Sequence, residues 1–173
     1  TIRSRSRLLR VGVPSKEDAL AWLSTQKRLK GDPEVALAMA GGAPLNAVKD
    51  ITGLTLDAKA SATLRDLLAR GRSLTPDSIV RGYSASMGIP AVALYLSRWC
   101  YDLLRVKSGA EPHFFIREKD VLEKIAADAT MKNLLSLNAA VAEMRRSAEH
   151  PLAPRQVWEG VLLVYVRALG GQV

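Results

Sequence analysis

The sequence predicts an all-α protein: a small three-helix bundle followed by a larger C-terminal bundle of about five or six helices. Three observations carry this expectation. Apolar residues recur at helical spacing through nearly the whole chain. Capping residues, several followed directly by proline, stand where those apolar stripes begin. No segment alternates with period two, and β-hairpin turn signals are missing. No internal repeat with the period of a helical solenoid appears either.

The elements follow in order. Ser15-Lys16-Glu17-Asp18 has the form of a capping box, with the Ser15 hydroxyl and the Asp18 carboxylate satisfying free amides, and Ala19, Leu20, Trp22 and Leu23 continue it as a helix. Asp32-Pro33 caps a second helix from Glu34 to Ala40, which stops at Gly41-Gly42, where glycine tolerates the left-handed conformation. Ala43-Pro44 starts a short third helix through Val48 and Ile51. These three form one domain, residues 15–53, behind a linker of residues 1–14. The larger domain, 54–173, begins with a helix capped by Asp57 and carrying Leu64, Leu67 and Leu68, ending near Gly71. Thr75-Pro76-Asp77 repeats the cap-then-proline signal ahead of Ile79, Val80 and Tyr83. Ile89-Pro90 opens the longest apolar helix, with Val92, Leu96, Trp99, Leu103 and Val106 on one stripe. Leu94, Tyr95, Tyr101 and Leu104 make most of its remaining circumference apolar, which predicts a central position. After a loop from Ser108 to Pro112, Val121, Leu122, Ile125 and Ala129 mark the next helix. Thr130 caps another, with Leu134, Leu137, Val141 and Met144 facing inward. Ala153-Pro154 opens the last, Val157 to Leu169, whose core face is Trp158, Leu162, Tyr165 and Leu169, and Gly170-Gly171 closes it.

Composition narrows the function classes. A chain of 173 residues accommodates one or two domains, and 48% hydrophobic content excludes a disordered chain. The apolar runs are far shorter than a membrane span, and the basic start leads into Val11-Gly12-Val13-Pro14, not into a signal-peptide core. The single cysteine, Cys100, excludes an internal disulfide framework and fits a reducing compartment. The expectation is a soluble cytoplasmic protein that does not engage membrane. The net charge is +8, and half of the excess lies in Thr1 to Arg10. A second basic share spans Arg65, Arg70, Arg72, Arg81, Arg98, Arg105 and Lys107 against only Asp66, Asp77 and Asp102, whereas Glu111 to Asp128 is comparatively acidic. This asymmetry favours DNA or an acidic protein surface as a neighbour.

Catalytic and cofactor chemistry is sparse. Gly41-Gly42-Ala43-Pro44-Leu45-Asn46 follows a helix and lacks the lysine of a phosphate-binding loop, so it reads as a helix stop and restart. His113 and His150 lie in loops far from the lone cysteine, which leaves no metal-ligand set. Cys100 sits in the most apolar helix as a small core residue. Trp22, Trp99 and Trp158 occupy helical core positions, too isolated to form a base-stacking platform. Glu17 with Asp18, and Glu118 with Asp120, are first-turn carboxylates that complement a helix dipole. The chain is not expected to catalyse a reaction alone or to hold a cofactor.

Several segments carry a resemblance. Thr-Ile-Arg-Ser-Arg-Ser at 1–6, the basic-apolar stretch after it, Pro14-Ser15 and the helix with Trp22-Leu23 resemble the exit from the AAA+ module of bacterial clamp-loader subunits. Ala36-Leu37-Ala38-Met39-Ala40-Gly41-Gly42-Ala43-Pro44-Leu45-Asn46-Ala47 is similar to the Gly-Ser-Pro lid segment of that family. Pro151-Leu152-Ala153-Pro154-Arg155 followed by Val161-Leu162-Leu163 is similar to the last helix of DNA polymerase III delta-prime subunits. The resemblance runs over essentially the whole chain and implies a C-terminal fragment, with a lid domain at 15–53 and a collar domain at 54–173.

The resemblance implies a role in assembling the loader that places the sliding clamp on primed DNA. The implied partners are the clamp-loader gamma/tau and delta subunits, primed DNA in the assembled complex and, indirectly, the clamp. It also implies that Ser4-Arg5-Ser6 matches the family's Ser-Arg-Cys motif, whose arginine reaches ATP on the neighbouring subunit. Arg5 would then be a trans arginine finger flanked by Ser4 and Ser6, with Ser6 in place of the cysteine. Arg3, Arg7 and Arg10 would be DNA-proximal. Leu45 stands where hydrolysing subunits carry a sensor arginine, which implies no nucleotide hydrolysis by this chain. The competing expectations are an independent helical DNA-binding module and a plain helical adaptor.

Overall fold

A computed structural model of the chain describes residues 5–7, 12–29, 31–49, 55–148 and 153–171. The described residues form helices and connecting turns with no strand, so the all-α expectation holds. Contacts divide the chain into two compact units, Thr1–Lys49 and Asp50–Val173.

The first unit contains α1 (Lys16–Ser24), α2 (Pro33–Met39) and α3 (Pro44–Val48). Ser15 Oγ accepts the Asp18 N–H at 3.1 Å, as a helix cap should. The other half of the capping box differs from expectation: the Asp18 carboxylate accepts the Ser15 hydroxyl at 2.8 Å instead of an amide. Asp32 Oδ1 accepts the Glu34 N–H at 2.9 Å, and the Lys16 ammonium pairs with the Glu34 carboxylate to tie α1 to α2. That pairing holds the Lys16 pKa above its ordinary value. Gly41 and Gly42 take φ of 65° and 83°, the left-handed conformation that ends α2 without steric cost. The core is narrow: Ala19, Leu23 and Leu37, flanked by Leu20, Leu29, Ala47 and Val48. Trp22 is not part of it. Its side chain is 38% exposed, because three short helices close around one stripe only and Trp22 lies off that stripe. Ile51, expected to extend α3, lies outside the described residues.

The second unit comprises α4 (Ala58–Ala69), a 3₁₀ turn (Gly71–Ser73), α5 (Pro76–Gly82), α6 (Ile89–Lys107), α7 (Lys119–Asp128), α8 (Met131–Ser147) and α9 (Pro154–Ala168). Asp57, Thr75 and Thr130 cap their helices through the N–H groups of Ala60, Ser78 and Asn133. The long helix α6 is central, packing mainly against α7 and α8, while α9 covers α8, α5 and the 3₁₀ turn. Val92, Leu96, Trp99 and Leu103 are buried along the expected stripe, as are Trp158, Leu162, Tyr165 and Leu169 on α9. Burying the aromatic rings requires partners for their polar tips. Trp158 Nε1 donates to the Ile79 carbonyl at 2.9 Å. Trp99 Nε1 donates to Tyr165 Oη at 3.2 Å, and that hydroxyl donates to the Leu68 carbonyl at 2.7 Å. Three helices far apart in sequence are thus joined inside the core by one polar chain.

Tyr101 departs from the expected apolar circumference of α6 and is 44% exposed. The segment after α6 explains why. It folds back over the helix, and Phe115 enters the core against Tyr95 and Trp99, with ring centroids 5.1 and 4.8 Å away. Phe115 therefore fills the position next to Trp99, and Tyr101 stays at the rim. No helix among the described residues is long and apolar enough to cross a membrane.

Candidate functional site

The arm residues come first. Arg5, Ser6 and Arg7 are exposed, whereas Ser4, Arg3 and Arg10 lie outside the described residues. In the first unit, Leu45 is the second residue of α3, directly behind the Gly41-Gly42 turn, and is 61% exposed. A leucine there presents hydrocarbon at a helix start, a position otherwise suited to anions.

The middle basic residues behave differently from a free cationic surface. Arg65 lies 3.7 Å from both Asp66 and Glu118, Arg72 lies 3.5 Å from Asp128, and Arg81 lies 3.0 Å from Asp77. Arg70 donates to Ser78 Oγ at 2.7 Å, and Lys107 donates to the Ala126 carbonyl at 2.8 Å. The ion pairs of Arg65, Arg72 and Arg81 add little stability, but they neutralise charge locally, whereas the acceptors of Arg70 and Lys107 are uncharged. Glu118 sits at the start of α7 with Asp120 in its first turn, in agreement with a dipole role.

Two basic residues of the same set belong to an aromatic cluster at the rim of α6. The Arg98 guanidinium lies 5.5 Å from the Phe114 ring centroid, and that of Arg105 lies 5.7 Å from Tyr101. Tyr101, His113 and Phe114 contact one another edge to face, with centroids 4.7 to 6.2 Å apart. Arg105 Nε also donates to the Glu111 carbonyl at 2.8 Å. The Glu111 carboxylate takes the Lys119 ammonium at 2.6 Å.

Beneath this cluster lies Asp102, wholly buried on the inner side of α6. Its Oδ1 accepts the His113 N–H at 2.8 Å, and its Oδ2 accepts the N–H groups of Phe114 and Phe115 at 2.8 and 2.7 Å. Three successive backbone amides wrapped around one carboxylate fix the loop and therefore fix the rings it carries. In the sequence Asp102 counts only as one of three acids set against the middle basic residues. The one available signal was His113-Phe114-Phe115, an aromatic run in a loop directly after Pro112.

A cleft of about 280 Å³ opens between the start of α4 and the end of α5, lined by Lys59, Thr63, Arg81, Tyr83, Ser84 and Ser86 among others. Two of its hydroxyls engage each other, with Ser84 Oγ 2.8 Å from Ser86 Oγ. Cys100 is buried, and loss of solvation pushes its thiol up to about 12, so it is a neutral core side chain. Among the described residues no group of three or more His, Cys, Asp or Glu side chains is arranged to hold a metal.

No family model, curated protein or solved structure matches this chain.

Proposed function

We propose that the chain is the C-terminal part of a clamp-loader subunit of the delta-prime type, acting in the cytoplasm. The observation that carries this reading is the order of its two helical units. A unit whose described residues include three short helices and the Gly41-Gly42-Ala43-Pro44-Leu45 turn precedes a larger helical unit, the succession that the sequence resemblance implies for lid and collar. The lid would join the collar to an ATPase tier, and the collar would hold the gamma/tau and delta subunits. The exposed hydrocarbon of Leu45 supports a lid that does not close on nucleotide. The ion pairing of Arg65, Arg72 and Arg81 disfavours the independent DNA-binding module, since a phosphate-binding stripe needs cations that are not already neutralised.

In this reading Arg5 reaches the ATP of a neighbouring subunit. A planar guanidinium stabilises charge on phosphate oxygens through paired hydrogen bonds, and a finger supplied in trans is worth about three to five orders of magnitude in rate. The test is loader reconstitution from gamma/tau, delta and the complete subunit containing this chain. Arg5→Lys should leave assembly intact and depress DNA-stimulated ATP hydrolysis, because lysine keeps the charge and loses the fork. Arg7→Ala should change hydrolysis far less. Failure of the wild-type subunit to join the complex would overturn the clamp-loader reading, whereas normal hydrolysis by Arg5→Lys would remove only the finger.

A further inference from the structure

We propose that the outward face of α9, centred on Gly160, docks an α-helix that carries a carboxylate and belongs to a neighbouring loader subunit. The proposal deepens the collar role and rests on the clamp-loader reading.

Gly160 is a glycine that the chain's own fold does not use. It stands in the interior of α9, where glycine supports a helix less well than any residue but proline. Other glycines of the second unit answer to their surroundings. A Cβ at Gly82 would meet Leu67 Cδ1 at 2.5 Å, and Gly71 takes a φ of 56°. Gly160 has neither constraint. It is exposed, its backbone is helical, and a Cβ there would meet nothing within 4 Å. The missing side chain therefore serves something that approaches from outside.

The residues around it give the shape of that partner. On a helix surface the positions three and four away adjoin, here Gln156, Val157, Leu163 and Val164. Val157, Leu163 and Val164 are only half-buried, while Trp158, Leu162 and Tyr165 on the opposite side are sunk in the core. Three apolar side chains and one amide thus rim a position with no side chain. A ridge of a crossing helix fills a hole of this kind, and the glycine lets the two backbones approach closely. An added strand would need free main-chain groups, which the middle of a helix does not offer.

Charge gives the partner's chemistry. Arg167 is exposed two turns beyond Gly160 on the same face and enters no ion pair among the described residues. The acid nearest this face, Glu159, is held by Arg155 at 2.8 Å. The face is left cationic within a chain of net charge +8. A second copy of the chain would oppose like charge, whereas a helix with a carboxylate opposite Arg167 complements it.

The experiment reads melting on the chain alone, by tryptophan fluorescence, and assembly on the complete subunit with purified gamma/tau and delta. Gly160→Ala should raise the melting midpoint by about 1–4 °C, because the position is open and alanine is the better helix former. Gly160→Leu should melt no lower than wild type yet weaken assembly about tenfold, since its isobutyl group holds the helices apart. Arg167→Glu should weaken assembly in the same sense, and Arg167→Gln should lower its dependence on salt. Titrations with gamma/tau alone and delta alone assign the helix to the partner whose affinity falls. Assembly of Gly160→Leu at wild-type affinity would overturn the proposal and leave the clamp-loader reading standing. A lowered midpoint for Gly160→Ala would also overturn it, because the site would then be closed within the chain. Failure of the wild-type subunit to bind either partner would overturn the clamp-loader reading and this occupant with it.

Discussion

Replacing Asp102 tests the feature that fixes the loop after α6. The carboxylate is wholly buried and accepts three backbone N–H groups at 2.7 to 2.8 Å. A hydrogen bond to a charged group contributes about 1.5–3 kcal/mol net, and an orphaned buried donor costs about 1–3 kcal/mol. The three are not additive, because the loop relaxes once the first is lost. Asp102→Ala should therefore cost about 3–5 kcal/mol, the range seen when one partner of a buried charged interaction is removed. Asp102→Asn keeps one acceptor oxygen, sufficient for the Phe114 and Phe115 amides, but turns an amide donor toward His113 N–H. It should cost roughly half as much.

Two readouts follow. Trp99 and Trp158 are buried in the second unit, so their fluorescence reports its unfolding, with little interference from exposed Trp22. At about 2–4 °C per kcal/mol for a chain of this size, Asp102→Ala should lower the midpoint by about 10 °C. Amide exchange at His113, Phe114 and Phe115 should be slow in the wild type, although these residues lie outside any helix, and fast in both variants. A melting point within about 1 °C of wild type, together with retained protection, would refute the anchoring role.

Other consequences are equally direct. Tyr165→Phe leaves Trp99 Nε1 and the Leu68 carbonyl without their shared hydroxyl and should cost about 2–3 kcal/mol by urea denaturation. Burial drives the Tyr165 pKa well above its ordinary value of 10.0, so its contribution is complete below that pH and is lost as pH rises beyond it. Wild-type stability should fall above about pH 10, and Tyr165→Phe should flatten that loss; a parallel pH profile would contradict this. A Cβ at Gly171 would meet the Arg72 carbonyl oxygen at 2.6 Å and Val166 Cγ1 at 2.4 Å. Gly171→Ala should cost about 1–3 kcal/mol, because the first contact is backbone and has no rotamer to yield. Unchanged stability would mean that the end of α9 does not close tightly on the 3₁₀ turn.

The helices were legible because their starts are written locally. Ser15, Asp32, Asp57, Thr75 and Thr130 each accept an N–H two or three residues ahead, an interaction contained within four consecutive residues. The stripe Val92, Leu96, Trp99 and Leu103 was legible from periodicity alone. Trp22 and Tyr101 were not, since periodicity marks a face as apolar without saying how much of it a neighbour covers. At Tyr101 the decisive neighbour was Phe115, brought over α6 by a loop whose path no local signal encodes. Asp102 was the least legible residue. Its partners are main-chain amides, which every residue but proline possesses, so no residue type in the sequence points back to it. The arm candidates Arg5, Ser6 and Arg7 were found from a motif match, and their exposure adds accessibility without specifying a contact.

The polar chain from Trp99 through Tyr165 to Leu68 spans 97 residues between its outer acceptor and the hydroxyl that bonds to it. A ribosome releases α4 and α6 long before α9, and during that interval Trp99 Nε1 and the Leu68 carbonyl lack the phenol that joins them. The larger unit therefore completes its interior only after α9 has emerged, whereas the smaller unit draws all its core from residues 19 to 48 and can close early. Vectorial synthesis thus leaves one finished unit tethered to an open one, whose exposed tryptophan face is the natural target for chaperones during that delay.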